Sequence, residues 1–197
     1  MRRRGNGLPG GSELSEELNV WPFDAKLRAD CLAVFDSNVP LDFRPFERRQ
    51  FEGFLYELPG PYLVLLAAAG RVVGCGGYAV DNMGIASLCW GMVSADRQKL
   101  GYGRRLLVER LTRIVGEPRC AAIRLETSQR ALGFFLKMGF SLEHRVPDGI
   151  ADGLDKCEML LNLTDSVRQR FGPRSRGNRL SIGAVAVDEL PTDPTGA

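Results

Sequence analysis

The run Gln98-Lys99-Leu100-Gly101-Tyr102-Gly103 stands between an apolar stretch that ends at Val93 and an amphipathic stretch over 104–115. A strand that passes through a glycine turn into a helix leaves the first N–H groups of that helix without intrahelical partners. It also presents the positive end of the helix dipole, and the two together accept an anion. Glycines at 101 and 103 remove the Cβ atoms that would keep a diphosphate at a distance. Gln98 offers its amide, and Lys99, Arg104 and Arg105 add positive charge about the same point. On spacing alone the same residues also describe a plain strand-to-helix turn with incidental glycines.

The rest of the chain frames that turn. With 197 residues, 44% of them apolar, the chain can bury one good-sized core but has little room for a second. Residues 1–17 are too polar to order themselves and read as a flexible lead, and 18–163 read as one domain. Residues 164–197 carry Arg168, Arg170, Arg174, Arg176 and Arg179 among Gly, Pro and Ser and read as a basic, disordered tail. A net charge of +2 supplies no field that would draw a polyanion, so nucleic acid is not an expected partner. Arg2, Arg3 and Arg4 are followed by no apolar segment of the signal-peptide kind, and no run is long enough to cross a bilayer. The expected location is the cytoplasm. Five scattered cysteines, mostly inside apolar runs, fit buried thiols in a reducing compartment.

Apolar spacing predicts a short strand over 18–23, helices over 25–35 and 45–58, and strands over 62–68, 71–80 and 86–93. After the glycine turn come a helix to Val115, a strand over 121–125, a helix over 128–138 capped by Gly139, and strands over 140–146 and 157–163 with a polar loop over 147–156. The order β-α-α-β-β-β-α-β-α-β-β implies an α/β mixed, mostly antiparallel sheet of about seven strands with about four helices on its faces. Gly74-Cys75-Gly76-Gly77-Tyr78-Ala79 spells G-x-G-x-x-A, but turn formers and another strand follow it where a dinucleotide fingerprint demands a helix. Its glycines are expected to mark a strand bulge or a close backbone approach. A P-loop lacks its G-K-[ST], a serine hydrolase its G-x-S-x-G, and a metal cluster its paired spacing around the single His144.

The glycine turn is followed by Ser128-x-x-Ala131-x-x-Phe134-Phe135-x-x-x-Gly139-Phe140. The two in that order resemble the GCN5-related N-acetyltransferase (GNAT) superfamily, over about residues 20–163. The first element looks like its Q/R-x-x-G-x-G/A acetyl-CoA motif and the second is similar to its following helix. The resemblance implies transfer of an acetyl group from acetyl-CoA to a primary amine by direct attack within a ternary complex. It puts the pantetheine arm on backbone groups of Met92 and Val93, the pyrophosphate on Gln98, Lys99, Leu100, Gly101, Tyr102, Gly103 and Arg104, and Ser128 and Phe135 beside the cofactor.

Two departures stand out. Many relatives carry a tyrosine acid where this chain has Phe135, and some carry a glutamate base on the strand whose matching region here is Ser87-Leu88-Cys89-Trp90-Gly91. Glu126 is the candidate to take the amine proton through a water. His144 is expected as a half-buried core residue, and Cys89 as a small apolar one. In this family the acceptor meets the first two helices with their loop and the loop between the last two strands, here 36–49 and 147–156. The partners implied are acetyl-CoA and an amine acceptor, with a homodimer left open. The departures also leave room for an acyl-CoA-binding module of the same fold without catalysis.

Overall fold

The computed structural model describes residues 18–173, so the lead over 1–17 and the stretch over 174–197 lie outside the described residues. Asp24 caps a single 3-10 turn by accepting from the Lys26 N–H, and the chain then enters α1 (Arg28–Asp36) and α2 (Glu47–Glu57). Before them lies β1 (Asn19–Pro22), and after them the meander β2 (Tyr62–Leu66), β3 (Val72–Val80) and β4 (Ile85–Val93). There follow α3 (Tyr102–Val115), β5 (Ala122–Ser128), α4 (Gln129–Met138), β6 (Ser141–Ala151), β7 (Leu154–Asn162) and α5 (Asp165–Phe171). The seven strands form one sheet in the order β1-β2-β3-β4-β5-β7-β6, antiparallel except between β4 and β5. The fold is the mixed α/β arrangement expected from the sequence.

Alternation along the strands divides the core between the two faces. On one face Tyr62, Val64, Cys75 and Met92 pack with Phe35 of α1 and Phe51 of α2. On the other, Ile123, Leu125, Met159 and Leu161 pack with Leu107, Leu111 and Ile114 of α3 and with Met138 and Phe171. Between Cys75 and Gly77 the strand β3 has one residue, Gly76, where β4 has two, Trp90 and Gly91. That is the bulge to which the glycine run pointed, and the extra residue bends β4. Trp90 sits there at φ 43°, a costly backbone for a bulky residue. It is held by ring contacts to Phe51 at 5.1 Å and Phe43 at 6.0 Å, and its carbonyl accepts from the Tyr62 hydroxyl at 3.0 Å.

Three expectations need correction. The polar loop over 147–156 is a continuation of β6 and β7, which turn at Asp152-Gly153. Its turn formers misled because β6 is an edge strand, where Pro147 and a register slip after Val146 are tolerated. Asp155 fastens this end: it accepts from the Asp148 N–H at 3.1 Å and from Arg145 Nε at 2.6 Å, which together hold its carboxyl below the usual range. His144, on the same edge strand, is exposed rather than half-buried, because a register shift between Leu142 and His144 sets it opposite Glu158 and breaks the parity it would have shared with Leu142. The basic tail is not wholly irregular either: α5 begins at the Thr164 cap and buries Phe171. Arg168 bonds to the carbonyls of Val115, at 2.9 Å, and Cys120, and Arg170 to that of Met138 at 3.3 Å. Two of the tail arginines therefore close the ends of α3 and α4, where the helix dipoles favour cations. Replacing Phe171 by Ala is expected to lower unfolding stability by about 3 kcal/mol, read from the urea midpoint at unchanged slope.

Candidate functional site

The parallel pairing of β4 with β5 runs only from Ile85↔Ala122 to Ser87↔Arg124. Beyond it β4 follows its bulge while β5 stays with β7 to Ser128↔Lys156, and the strands part into a V-shaped cleft. The cleft has a volume of about 1790 Å³. That exceeds the roughly 300–1,000 Å³ of a single small-molecule pocket. Cys89, Gly91, Met92 and Val93 line one wall, and Leu125, Glu126, Ser128, Phe134 and Phe135 the other.

The glycine turn closes one end. Lys99 (φ 63°) and Gly101 (φ 87°) both adopt left-handed backbone, which glycine alone takes at no cost. The turn is tighter than the sequence implied, and α3 begins at Tyr102, with the Arg105 N–H bonded to Gly101 O at 3.0 Å. No side chain caps this start, and no acidic residue lies in the first turn. Placing Arg104 and Arg105 at the positive end of a helix dipole is locally unfavourable, and a bound anion reverses that. A Cβ on Gly101 would meet nothing within 4 Å, and one on Gly103 only Val93 Cγ2 at 3.8 Å. Packing within the protein would tolerate a side chain at 103, so its absence serves to keep the space above the helix start open.

The structure separates the other members of the motif. Lys99, Gly101, Gly103 and Arg104 line the cleft with Gln98. Leu100 is 59% exposed and lies outside the cleft wall, while the Tyr102 ring is buried with Leu65, Val73 and Val93. From those two residues only the backbone can serve the site. The Gln98 amide does not await an anion: Nε2 donates to Asn38 Oδ1 at 2.7 Å and Asp42 Oδ2 at 3.4 Å. The Val93 carbonyl is also engaged, accepting from Asn38 Nδ2 at 3.0 Å.

Asn38 therefore ties three elements together. It is buried, and besides Val93 its Nδ2 reaches Val34 O at 2.8 Å. From the far wall Arg130 of α4 donates to Leu41 O at 2.6 Å and lies 3.8 Å from Asp42 Oδ1. The α1–α2 connection is thus clasped to both sides of the cleft. Ser128 precedes α4 without capping it, and Phe135 packs edge-on against Phe134 at 5.0 Å and Phe140 at 5.6 Å.

On the face opposite α3, the strands β5 and β7 carry no helix, and that face is polar: Arg124 bonds Ser87 Oγ at 3.0 Å, and Glu126 pairs across the ladder with Glu158. Lys156 separates the carboxylates, at 2.7 Å from Glu158 and 3.5 Å from Glu126. Its contacts with Glu158 hold that carboxyl below its usual range. Cys89, half-buried in the cleft wall, has its thiol pushed up to about 11 by burial, so it stays protonated at neutral pH and is no ready nucleophile. No group of His, Cys, Asp or Glu that would hold a metal ion occurs among the described residues, and none of their helices is long and apolar enough to cross a membrane. Replacing Asn38 by Ala strands the Val93 carbonyl and removes one of the two acceptors of the Gln98 amide. It is expected to cost about 2 kcal/mol, measured by chemical denaturation.

The family model for the acetyltransferase (GNAT) family matches residues 29–140. No curated protein matches the chain significantly. Among solved structures, the chain is similar to a GNAT-family protein from Desulfovibrio desulfuricans with a TM-score of 0.66 at 20% identity, over 75% of this chain and 100% of that one. It is also similar to an aminoglycoside 6'-N-acetyltransferase complexed with coenzyme A, with a TM-score of 0.62 at 12% identity over 74% and 97%. A third is the ribosomal-protein-S18-alanine N-acetyltransferase from Escherichia coli, with a TM-score of 0.61 at 14% identity over 83% and 100%. At these identities the likeness is one of fold.

Proposed function

We propose, from the premise that this chain belongs to the acetyltransferase (GNAT) family, that it moves an acetyl group from acetyl-CoA to a primary amine by direct attack within a ternary complex. The observation that carries this reading is the uncapped start of α3, flanked by Lys99 and Arg104, at the end of a cleft opened by parting strands. Backbone N–H groups from Gly101 to Arg104 would take the diphosphate, and the open space over Gly101 and Gly103 admits it. Lys99 and Arg104 would balance its charge. Gln98 contributes through the α1–α2 connection that it holds, and Leu100 and Tyr102 through their backbone.

The pantetheine arm would lie along β4 beside Met92 and Val93, with Ser128 and Phe135 opposite. Bound there, acetyl-CoA supplies an activated thioester carbonyl. The amine enters over the polar face of β5 and β7. Glu126 lines the cleft, and through a water it takes the proton that the incoming ammonium must lose. Phe135 offers no proton, so its ring orients and excludes water.

Two measurements test this. Gly103→Leu fills the space over the helix start: stability is expected to stay unchanged or rise by up to about 1 kcal/mol, while the calorimetric Kd for CoA rises at least about tenfold. Equal affinity would remove the glycine turn from the site. In a thiol-release assay with acetyl-CoA across a panel of primary amines, Glu126→Gln is expected to lower kcat by about 10²-fold or more, with a smaller change in KM for acetyl-CoA. Unchanged turnover would reject Glu126 as the base. A blank across the whole panel, with binding demonstrated, would favour a module that binds acyl-CoA without catalysis.

A further inference from the structure

Arg110, on the sheet-facing side of α3, is only 4% exposed. Its guanidinium lies against the bulge, in space left by two glycines. A Cβ built on Gly91 would fall 2.7 Å from Nη1 and 2.9 Å from Nη2, and one on Gly76 would fall 3.0 Å from Nη1. The two residues that oppose each other at the bulge therefore both lack side chains, and the cation takes their place. Nε has no hydrogen-bond partner among the described residues. The groups whose charge reaches the guanidinium are Tyr62 of β2, Cys89 of β4 and Cys75 of β3, a phenol and two thiols rather than a carboxylate. Burial lowers the Arg110 pKa, yet an arginine stays charged at any neutral pH. A leucine or methionine would fill this space without the desolvation of an ion. Among the described residues no carboxylate pairs with this permanent positive charge, and it opens on the cleft.

The place of that charge limits what it can meet. Arg110 is on the α3 side of β4, away from the polar face over which an amine would enter. It lies eight residues beyond Tyr102, about 12 Å along the helix from the glycine turn at 1.5 Å per residue. A pantetheine arm anchored at that turn covers such a distance and brings its sulfur to the bulge.

We propose that Arg110 is a catalytic residue that stabilises the negative charge on the sulfur of CoA as the thioester is cleaved. This rests on the acetyl-CoA reading above. The amine nitrogen, one proton already taken from the ammonium, forms the C–N bond with its lone pair and releases its second proton to solvent. The C–S bond breaks, its electron pair goes to sulfur, and CoA departs as a thiolate opposite the guanidinium, taking its proton from solvent afterwards. Arg110 donates no proton. It supplies by charge what Phe135, lacking a hydroxyl, cannot supply by proton transfer.

The test titrates the thiol of CoA bound to the full-length protein, by thiolate absorbance, with the desulfo-CoA complex as the blank that cancels the five cysteines. Calorimetry first establishes binding of both ligands. In the wild type the bound thiol is expected to ionise at least about one pH unit below free CoA. In Arg110→Met that lowering is lost while CoA still binds, and Arg110→Lys keeps part of it. A bound thiol that ionises where free CoA does, in the wild type itself, overturns the proposal and leaves the donor site standing. Failure of CoA and desulfo-CoA alike to bind the wild type overturns the donor reading and this inference with it. With an accepted amine, Arg110→Met is expected to lower kcat about 10²–10³-fold, and a loss confined to KM for acetyl-CoA would overturn the role.

Discussion

The loss of hydrogen bonding between β4 and β5 beyond Ser87 and Arg124 is the constraint on which the rest of the structure depends. Backbone groups inside a protein need partners, so two neighbouring strands that part in mid-sheet require a cause on each side. On the β4 side the cause is the bulge at Trp90 and Gly91, fixed by the aromatic cluster of α1 and α2. On the β5 side it is the seven-residue ladder with β7, which keeps β5 straight. The cleft is what remains between a strand committed to its left neighbour and one committed to its right.

Charge is then arranged around that opening in two layers. At one end Lys99, Arg104 and the uncapped start of α3 concentrate positive potential, with no acidic residue in the helix's first turn. Beneath the bulge, Arg110 does the same in a drier place, where an ion is felt more strongly. The opposite face is mixed, with Lys156 set between Glu126 and Glu158. The end with the glycine turn is thus committed to one sign of charge, and the face of Glu126 and Glu158 is not.

Much of the site's rigidity comes from a loop rather than from the sheet. Asn38 and Asp42 receive Gln98 from one wall, Arg130 holds Leu41 and Asp42 from the other, and Asn38 reaches back to Val93. Loops that carry function need such anchoring, because each residue fixed loses conformational entropy that some bond must offset. The α1–α2 connection is thereby part of the cleft wall.

The element order, the two faces of each helix and the glycine turn were legible in the sequence because they are local. Periods of 2 and 3.6 show within a dozen residues, and Gly101 sits where a left-handed turn must be made. The absence of a proton donor at Phe135 and of a carboxylate from Ser87 to Gly91 was equally plain. The glycine run from Gly74 to Gly77 announced a bulge without saying what would fill it. Which polar side chain finds which partner was decided by tertiary structure alone. Asn38 meets Val93 and Gln98 across 55 and 60 residues, and Arg110 reaches the hollow of Gly76 and Gly91 from a different element. The pattern of α3 marks its buried face but does not distinguish an arginine there from a solvated one. The helix over 165–171 is illegible in the sequence for the same reason: its arginines look solvent-bound until the exposed ends of α3 and α4 are in place to receive them. A sequence specifies local geometry through sterics and hydrophobic period, whereas the value of a buried charge or amide depends on groups that only the folded chain brings near it.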